Sequence, residues 1–159
     1  MAFGAERVSY FDIDERKIDF AKKFGFSEYR EDLVINCAIE GTGFSDALGK
    51  CLAAIEPSGR LVLMGNPAGE VALSQNTYSH ILRKELKIYG TWNSFYNDRE
   101  NDWKESLQAM ADGKINVKPL ITHTFPLEKC REAFEMIKSK SEFYNKVMLN
   151  MNADEDENE

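Results

Sequence analysis

Short β-rich runs alternate with helical stretches along most of this chain, and a glycine, proline or aspartate stands where each should stop. Val8 to Phe11 reads as a strand ended by Asp12. Asp14 then reads as the N-cap of a helix that carries Ile18, Ala21 and Phe24 on one side and closes at Gly25. Leu33 to Ile39 is nearly continuous apolar, the pattern of a strand covered on both faces. Gly41-Thr42-Gly43 opens a helix through Asp46, Leu48, Cys51, Leu52 and Ile55, and Pro57-Ser58-Gly59 turns the chain into a strand over Arg60 to Gly65. A loop from Asn66 to Gly69, a helix near Asn76 to Lys84, a strand at Leu86 to Thr91 and a helix from Glu100 to Ala111 stopped by Gly113 continue the rhythm. Such alternation specifies right-handed crossovers and a mostly parallel sheet, so the expected fold is α/β and doubly wound.

After Gly113 the rhythm changes. Val117 to Phe125 reads as a strand, Leu127 to Lys138 as an amphipathic helix with Cys130, Ala133, Phe134 and Ile137 inward, and Lys146 to Asn150 as a closing strand. This segment, 114–150, is expected to form a separate β-α-β layer. Residues 151–159 hold five of the chain's 27 acidic residues and no base, so they read as a solvated, disordered acidic tail.

Without that tail 22 acids face 20 bases, which leaves no basic stripe for a phosphate backbone and argues against nucleic-acid binding. No apolar run approaches a bilayer span, and the opening residues lack a signal-peptide core. Cys37, Cys51 and Cys130 are an odd, widely spaced set, and His80 and His123 add no metal-ligand spacing, so the reducing cytoplasm is the expected compartment.

In doubly wound folds ligands sit at the carboxyl ends of the strands, which directs attention to Asp12, the Glu40 to Gly43 loop, Gly65-Asn66-Pro67 and Thr91-Trp92-Asn93. A strand-end carboxylate such as Asp12 accepts hydrogen bonds from both ribose hydroxyls of a dinucleotide and repels a 2′-phosphate, favouring NAD over NADP. An aspartate there is equally a turn former or helix cap, and a strand-end acid also grips the ribose of S-adenosylmethionine; these readings stand side by side. Gly41-Thr42-Gly43-Phe44-Ser45-Asp46 imitates the start of a glycine-rich phosphate loop. Asp46 at its sixth position puts negative charge where a pyrophosphate would sit, so a sharp turn beside a cofactor is the better reading. His123 and both tryptophans read as packing residues.

Several of these segments resemble one family together. They are Gly4-Ala5-Glu6-Arg7-Val8, Phe11-Asp12, Glu40-Gly41-Thr42-Gly43, Gly59 to Gly65, Lys118 to His123, Phe125-Pro126-Leu127-Glu128 and Ala133-Phe134-Glu135. In that order they are similar to the second half of a zinc-dependent medium-chain alcohol/polyol dehydrogenase, of the sorbitol and galactitol-1-phosphate dehydrogenase kind. The resemblance implies a partial dinucleotide-binding domain over 1–113, a return towards a catalytic domain over 114–150, and NAD as cofactor. It puts Asp12 on the adenosine ribose, Lys17 on the adenine side and Thr42 beside the nicotinamide. Met64, Gly65, Asn66, Thr91, Trp92 and Asn93 then fall along the nicotinamide edge. Where sorbitol dehydrogenases tend to carry an arginine and an aromatic residue, this chain has Asn93 and Ser94.

The same resemblance implies what is missing. The zinc ligands, the first Rossmann strand and its glycine fingerprint have no counterpart, and Met1 to Gly4 joins the family pattern near the end of the first Rossmann helix. Zinc would therefore belong to the complete enzyme and not to this chain. In the order 3-2-1-4-5-6 the absent strand is central, and each buried, unpaired backbone group it leaves costs about 1–3 kcal/mol. Either strands 2 and 4 of that order close up and pair directly, or another chain supplies the missing one. The functional expectation is the NAD-binding portion of a polyol oxidoreductase, inactive alone, joined by an N-terminal catalytic chain or by a second copy through the edge near Leu86 to Thr91. The alternative is a non-catalytic association module.

Overall fold

A computed structural model describes residues 4–67 and 69–151, so residues 152–159 of the acidic tail and Ala68 of the Asn66 to Gly69 loop lie outside the described residues, as do Met1 to Phe3. The chain divides into two compact units, one made of the N-terminal 28 residues together with Tyr96–Glu159, the other of Tyr29–Phe95. The expected boundary at Gly113 falls inside the first of these.

In the first unit, β1 (Ser9–Tyr10) and β2 (Ser27–Glu28) run parallel, joined by α1 (Glu15–Lys22). Asp14 caps α1 by accepting from the Arg16 amide, and the Arg16 guanidinium on the same carboxylate holds it below the ordinary aspartate range. Ile18 and Ala21 are buried, Phe20 meets Phe24 and Phe143 with ring centroids 5.1 and 5.2 Å apart, and Gly25 leaves the helix at φ +79°. The unit continues with α4 (Asp102–Ala111), then β6 (Ile121–Pro126), α5 (Cys130–Ser139) and β7 (Lys146–Asn150), with β6 and β7 parallel. The strand expected from Val117 begins later because Lys118–Leu120, around Pro119, winds into a 3-10 turn. On α5, Ala133 and Met136 are buried while Phe134 is 65% exposed, which corrects its expected inward placement. The buried stripe runs through Ala133 and Met136, and Phe134 lies 100° round the helix from Ala133.

The second unit holds three parallel strands in the order β3-β4-β5: β3 (Ile35–Glu40), β4 (Ile55–Leu63) and β5 (Lys87–Gly90), with α2 (Ser45–Ala54) and α3 (Gln75–Arg83) as crossovers. Ala38, Leu52, Ile55 and Leu61 form its core, with Ile35, Leu48, Cys51, Leu63, Leu73, Ile81 and Leu86 packed around them. The Pro57-Ser58-Gly59 turn is present as an irregularity inside β4. Ile35 pairs Ile55 and Cys37 pairs Arg60, so the intervening residues loop out, with Ser58 at φ +62°. Lys84 ties this region to the helix before it: its ammonium donates to the carbonyls of Leu52, Ala53 and Ile55 at 3.2, 2.7 and 2.8 Å.

β3 is not covered on both faces. Ala38 and Glu40 turn inward while Cys37 is exposed and Ile39 is 65% exposed, and among the described residues β3 is laddered to β4 alone. Direct pairing of the strands either side of the missing one is not among the ladders of the described residues: β1 pairs with β2, and β3 with β4. The fold is thus an incomplete doubly wound sheet in two pieces, followed by a β-α-β segment.

Candidate functional site at the strand ends

Asp12 follows β1 and is held by its neighbours. Its Oδ1 accepts the Asp14 amide at 3.0 Å, its Oδ2 accepts the Tyr10 phenol at 3.1 Å, and Lys17 Nζ stands 3.9 Å from Oδ2. The turn-forming role is therefore realised. A carboxylate has about four lone-pair positions, so two hydrogen bonds leave acceptor capacity for a diol. Burial, then the charge and hydrogen bond of Asp12, push the Tyr10 phenol up from its ordinary value. The structure brings Lys17 to Asp12; both belong to the first unit.

The remaining sequence-predicted residues belong to the second unit, at the carboxyl ends of β3, β4 and β5. Two loops meet there. A Cβ placed on Gly65 would fall 2.2 Å from the Gly43 nitrogen and 2.5 Å from the Thr42 nitrogen; one on Gly43 would fall 2.3 Å from the Asn66 carbonyl oxygen. Met64 Cε lies 3.3 Å from where a Cβ on Gly41 would stand. Thr42, Met64, Gly65 and Asn66 are thus brought together, with Gly43 at φ +77° making the sharp turn. The Thr91 amide donates to the Leu63 carbonyl at 3.0 Å, which sets the start of the third loop beside the end of β4. Beyond it Trp92 is 72% exposed and Asn93 adopts φ +56°, a conformation asparagine tolerates.

Glu40, quoted in the motif but given no role there, organises this surface. It is 4% exposed, and its carboxylate accepts the Thr42 amide at 2.7 Å, the Thr42 hydroxyl at 2.6 Å and the Gly43 amide at 3.0 and 3.1 Å. Its main-chain carbonyl accepts the Met64 and Gly65 amides, both at 2.9 Å. Burial, and then the Glu40 charge, push the Cys51 thiol up to about 11. The readable signal was an acid ending an apolar strand directly before Gly-Thr-Gly.

These bonds decide what the loop can hold. The Thr42 and Gly43 amides are spent on Glu40, and the Phe44 amide on Thr42 Oγ1 at 3.2 Å, so the loop is a turn clasped by a carboxylate and offers those amides to no pyrophosphate. Within the first unit a ribose diol has an acceptor to spare in Asp12, and within the second a pyrophosphate does not fit the Gly41-Thr42-Gly43 turn. No group of three His, Cys, Asp or Glu side chains among the described residues could hold a metal ion. No helix among them is long and apolar enough to cross a membrane. A depression of about 600 Å³ along α4, lined by Asn97, Arg99, Lys104, Glu105 and Lys114 among others, contains none of the sequence-predicted residues.

Comparison with known proteins places this geometry. The galactitol 1-phosphate 5-dehydrogenase of Escherichia coli is 26% identical over 165 residues, covering 94% of this chain and 47% of the relative. The sorbitol dehydrogenase of Bos taurus is 31% identical over 137 residues, covering 86% and 35%. The crystal structure of a galactitol-1-phosphate dehydrogenase from Escherichia coli superposes with a TM-score of 0.79 at 23% identity, over 92% of this chain and 46% of that one. Two further structures of this fold, with TM-scores of 0.74 and 0.71 at 20% and 17% identity, were determined with NADH and with NADP bound. The chain spans about half the length of the curated relatives it matches. The family model described as zinc-binding dehydrogenase matches residues 3–143, and the chain belongs to that family.

Proposed function

We propose that this chain is the part of an NAD-dependent polyol or polyol-phosphate dehydrogenase that orients the cofactor. The observation that carries the reading is Asp12: a carboxylate at the end of a parallel strand, fixed by Tyr10 and the Asp14 amide, with acceptor positions to spare. It accepts the ribose hydroxyls, and Lys17 flanks the adenine side. Thr42, Met64, Gly65 and Asn66 with Thr91, Trp92 and Asn93 form the wall along the nicotinamide. The cofactor supplies the hydride acceptor; the chain's own contribution is to bind and orient it. Polarisation of the alcohol and the amides that receive the pyrophosphate are the contribution of an N-terminal catalytic segment, so the chain alone is inactive in polyol oxidation.

The partners follow from the edges. Among the described residues β3 is laddered on one side only, which suits a parallel strand from an N-terminal catalytic segment; β5, exposed along its length, suits a second copy. Free thiols at Cys37, Cys51 and Cys130 suit the cytoplasm. One observation favours the second reading, a non-catalytic association module: the only glycine loop with a phosphate-like start has its amides already spent. Titrating NADH while following Trp92 fluorescence in a Trp103→Phe background separates the two. Saturable quenching supports cofactor orientation, and no change up to millimolar NADH supports the association module.

A further inference from the structure

We propose that Glu40 is a positioning residue that pre-sets the nicotinamide-side wall, an inference that rests on the cofactor reading above. One buried side chain and its own carbonyl hold four backbone donors, at Thr42, Gly43, Met64 and Gly65, across two loops that carry Gly41, Gly43 and Gly65. Glycine-rich loops lose the most conformational freedom when a ligand orders them, and a loop ordered beforehand removes that cost from binding. A carboxylate suits the task better than an amide. Both of its oxygens accept, and the three donors facing it make charge-assisted bonds, whereas a glutamine would turn an NH₂ group toward one of them. The burial points the same way. At 4% exposure the carboxylate is withdrawn from solvent, its hydrogen bonds from Thr42 and Gly43 lie within its own loop, and its carbonyl reaches the loop after β4. Glu40 touches no reacting atom in this arrangement; it acts through Thr42 and Met64.

The test uses the full chain and two readouts. In Glu40→Gln the amides of Thr42 and Gly43 exchange with deuterium at least tenfold faster than in the wild type, the ladder amides of Leu61 and Val62 are unchanged, and the NADH dissociation constant rises at least tenfold. Glu40→Asp keeps the charge but is one methylene too short, and shifts both readouts in the same direction; it carries the test if the glutamine variant does not fold. Loosened loop amides with unchanged NADH affinity overturn the positioning role alone. Unchanged exchange at Thr42 and Gly43 overturns the latch itself. A wild-type chain that binds no NADH overturns the cofactor reading, and the exchange result then still decides whether Glu40 fixes the loops.

Discussion

Replacing Gly65 with alanine attacks the contact between the two strand-end loops at its narrowest point. The added Cβ would stand 2.2 Å from the Gly43 nitrogen, against ordinary contacts that begin at 3.4 Å, so the loops must part by about 1.2 Å. Its three nearest obstacles, Gly43 N, Thr42 N and Thr42 C, are all backbone, so no side-chain rotation relieves the clash. Parting the loops stretches the Gly43 amide away from the Glu40 carboxylate, which it now meets at 3.0 and 3.1 Å. Hydrogen bonds to a charged group contribute about 1.5–3 kcal/mol each, and the reduced freedom of the unfolded alanine chain returns about 0.4–1 kcal/mol. Forcing the two backbones apart adds about 1–3 kcal/mol of overpacking, and a net loss of about 1.5–5.5 kcal/mol follows. Gly43→Ala meets the Asn66 carbonyl in the same gap and adds the strain of φ +77°, about 1–2 kcal/mol. Because one parting accommodates both new methyl groups, the double variant loses at least about 1 kcal/mol less than the two single losses combined. Urea unfolding in a Trp103→Phe background, with Trp92 reporting on its own unit, measures all three. A Gly65→Ala chain within about 0.5 kcal/mol of the wild type, or strict additivity with Gly43→Ala, refutes the close approach of these loops.

Two other predictions rest on separate observations. Lys84→Met leaves the carbonyls of Leu52, Ala53 and Ile55 without their ammonium, in a helix whose last turn has no base of its own; the expected loss is about 2–3 kcal/mol in the same urea assay, and a loss below about 0.5 kcal/mol contradicts the cap. Cys51, pushed to about 11 by burial and then by Glu40, carries about a hundredfold less thiolate at pH 8 than an ordinary thiol, so mass spectrometry after iodoacetamide treatment finds exposed Cys37 alkylated at least tenfold faster. The folded chain keeps this proton where the unfolded chain releases it, so stability falls as pH rises from about 9 towards 11, by about 1–2 kcal/mol once the thiol's partial access to water is allowed for. Equal alkylation rates at Cys37 and Cys51 contradict the assignment.

What could be read in advance was what local chemistry specifies. Asp14 as a cap, Gly25 and Gly113 as stops with positive φ, and the apolar periods of α1, α2 and β4 all act within a few residues of themselves. Less visible was whatever a distant partner decides. β2 is Ser27-Glu28, two polar residues with no alternation, and exists because β1 lies alongside it. Phe134 looked apolar enough for the interior, yet the packed stripe of α5 passes through Met136, and α5 ends on a left-handed lysine, Lys140, where a glycine would have announced the stop. At the strand ends, the general rule directs attention to Asp12, Gly65 and Thr91, but a buried glutamate looks like any other until its donors are known. Lys84 likewise caps a helix some thirty residues earlier in sequence, which no pattern around Lys84 reveals.

Everything said of the cofactor converges on how Asp12 treats the 2′ position of an adenosine ribose. Parallel titrations of the wild-type chain and Asp12→Asn with NADH and NADPH test this directly, because a carboxylate within about 4 Å of a phosphate disfavours it by more than a tenfold factor even at high effective dielectric. The account predicts that the wild type binds NADH at least tenfold more tightly than NADPH and that Asp12→Asn erases most of that preference by weakening NADH and admitting NADPH. Equal affinity of the wild type for the two dinucleotides, or a preference that survives the substitution, would contradict it.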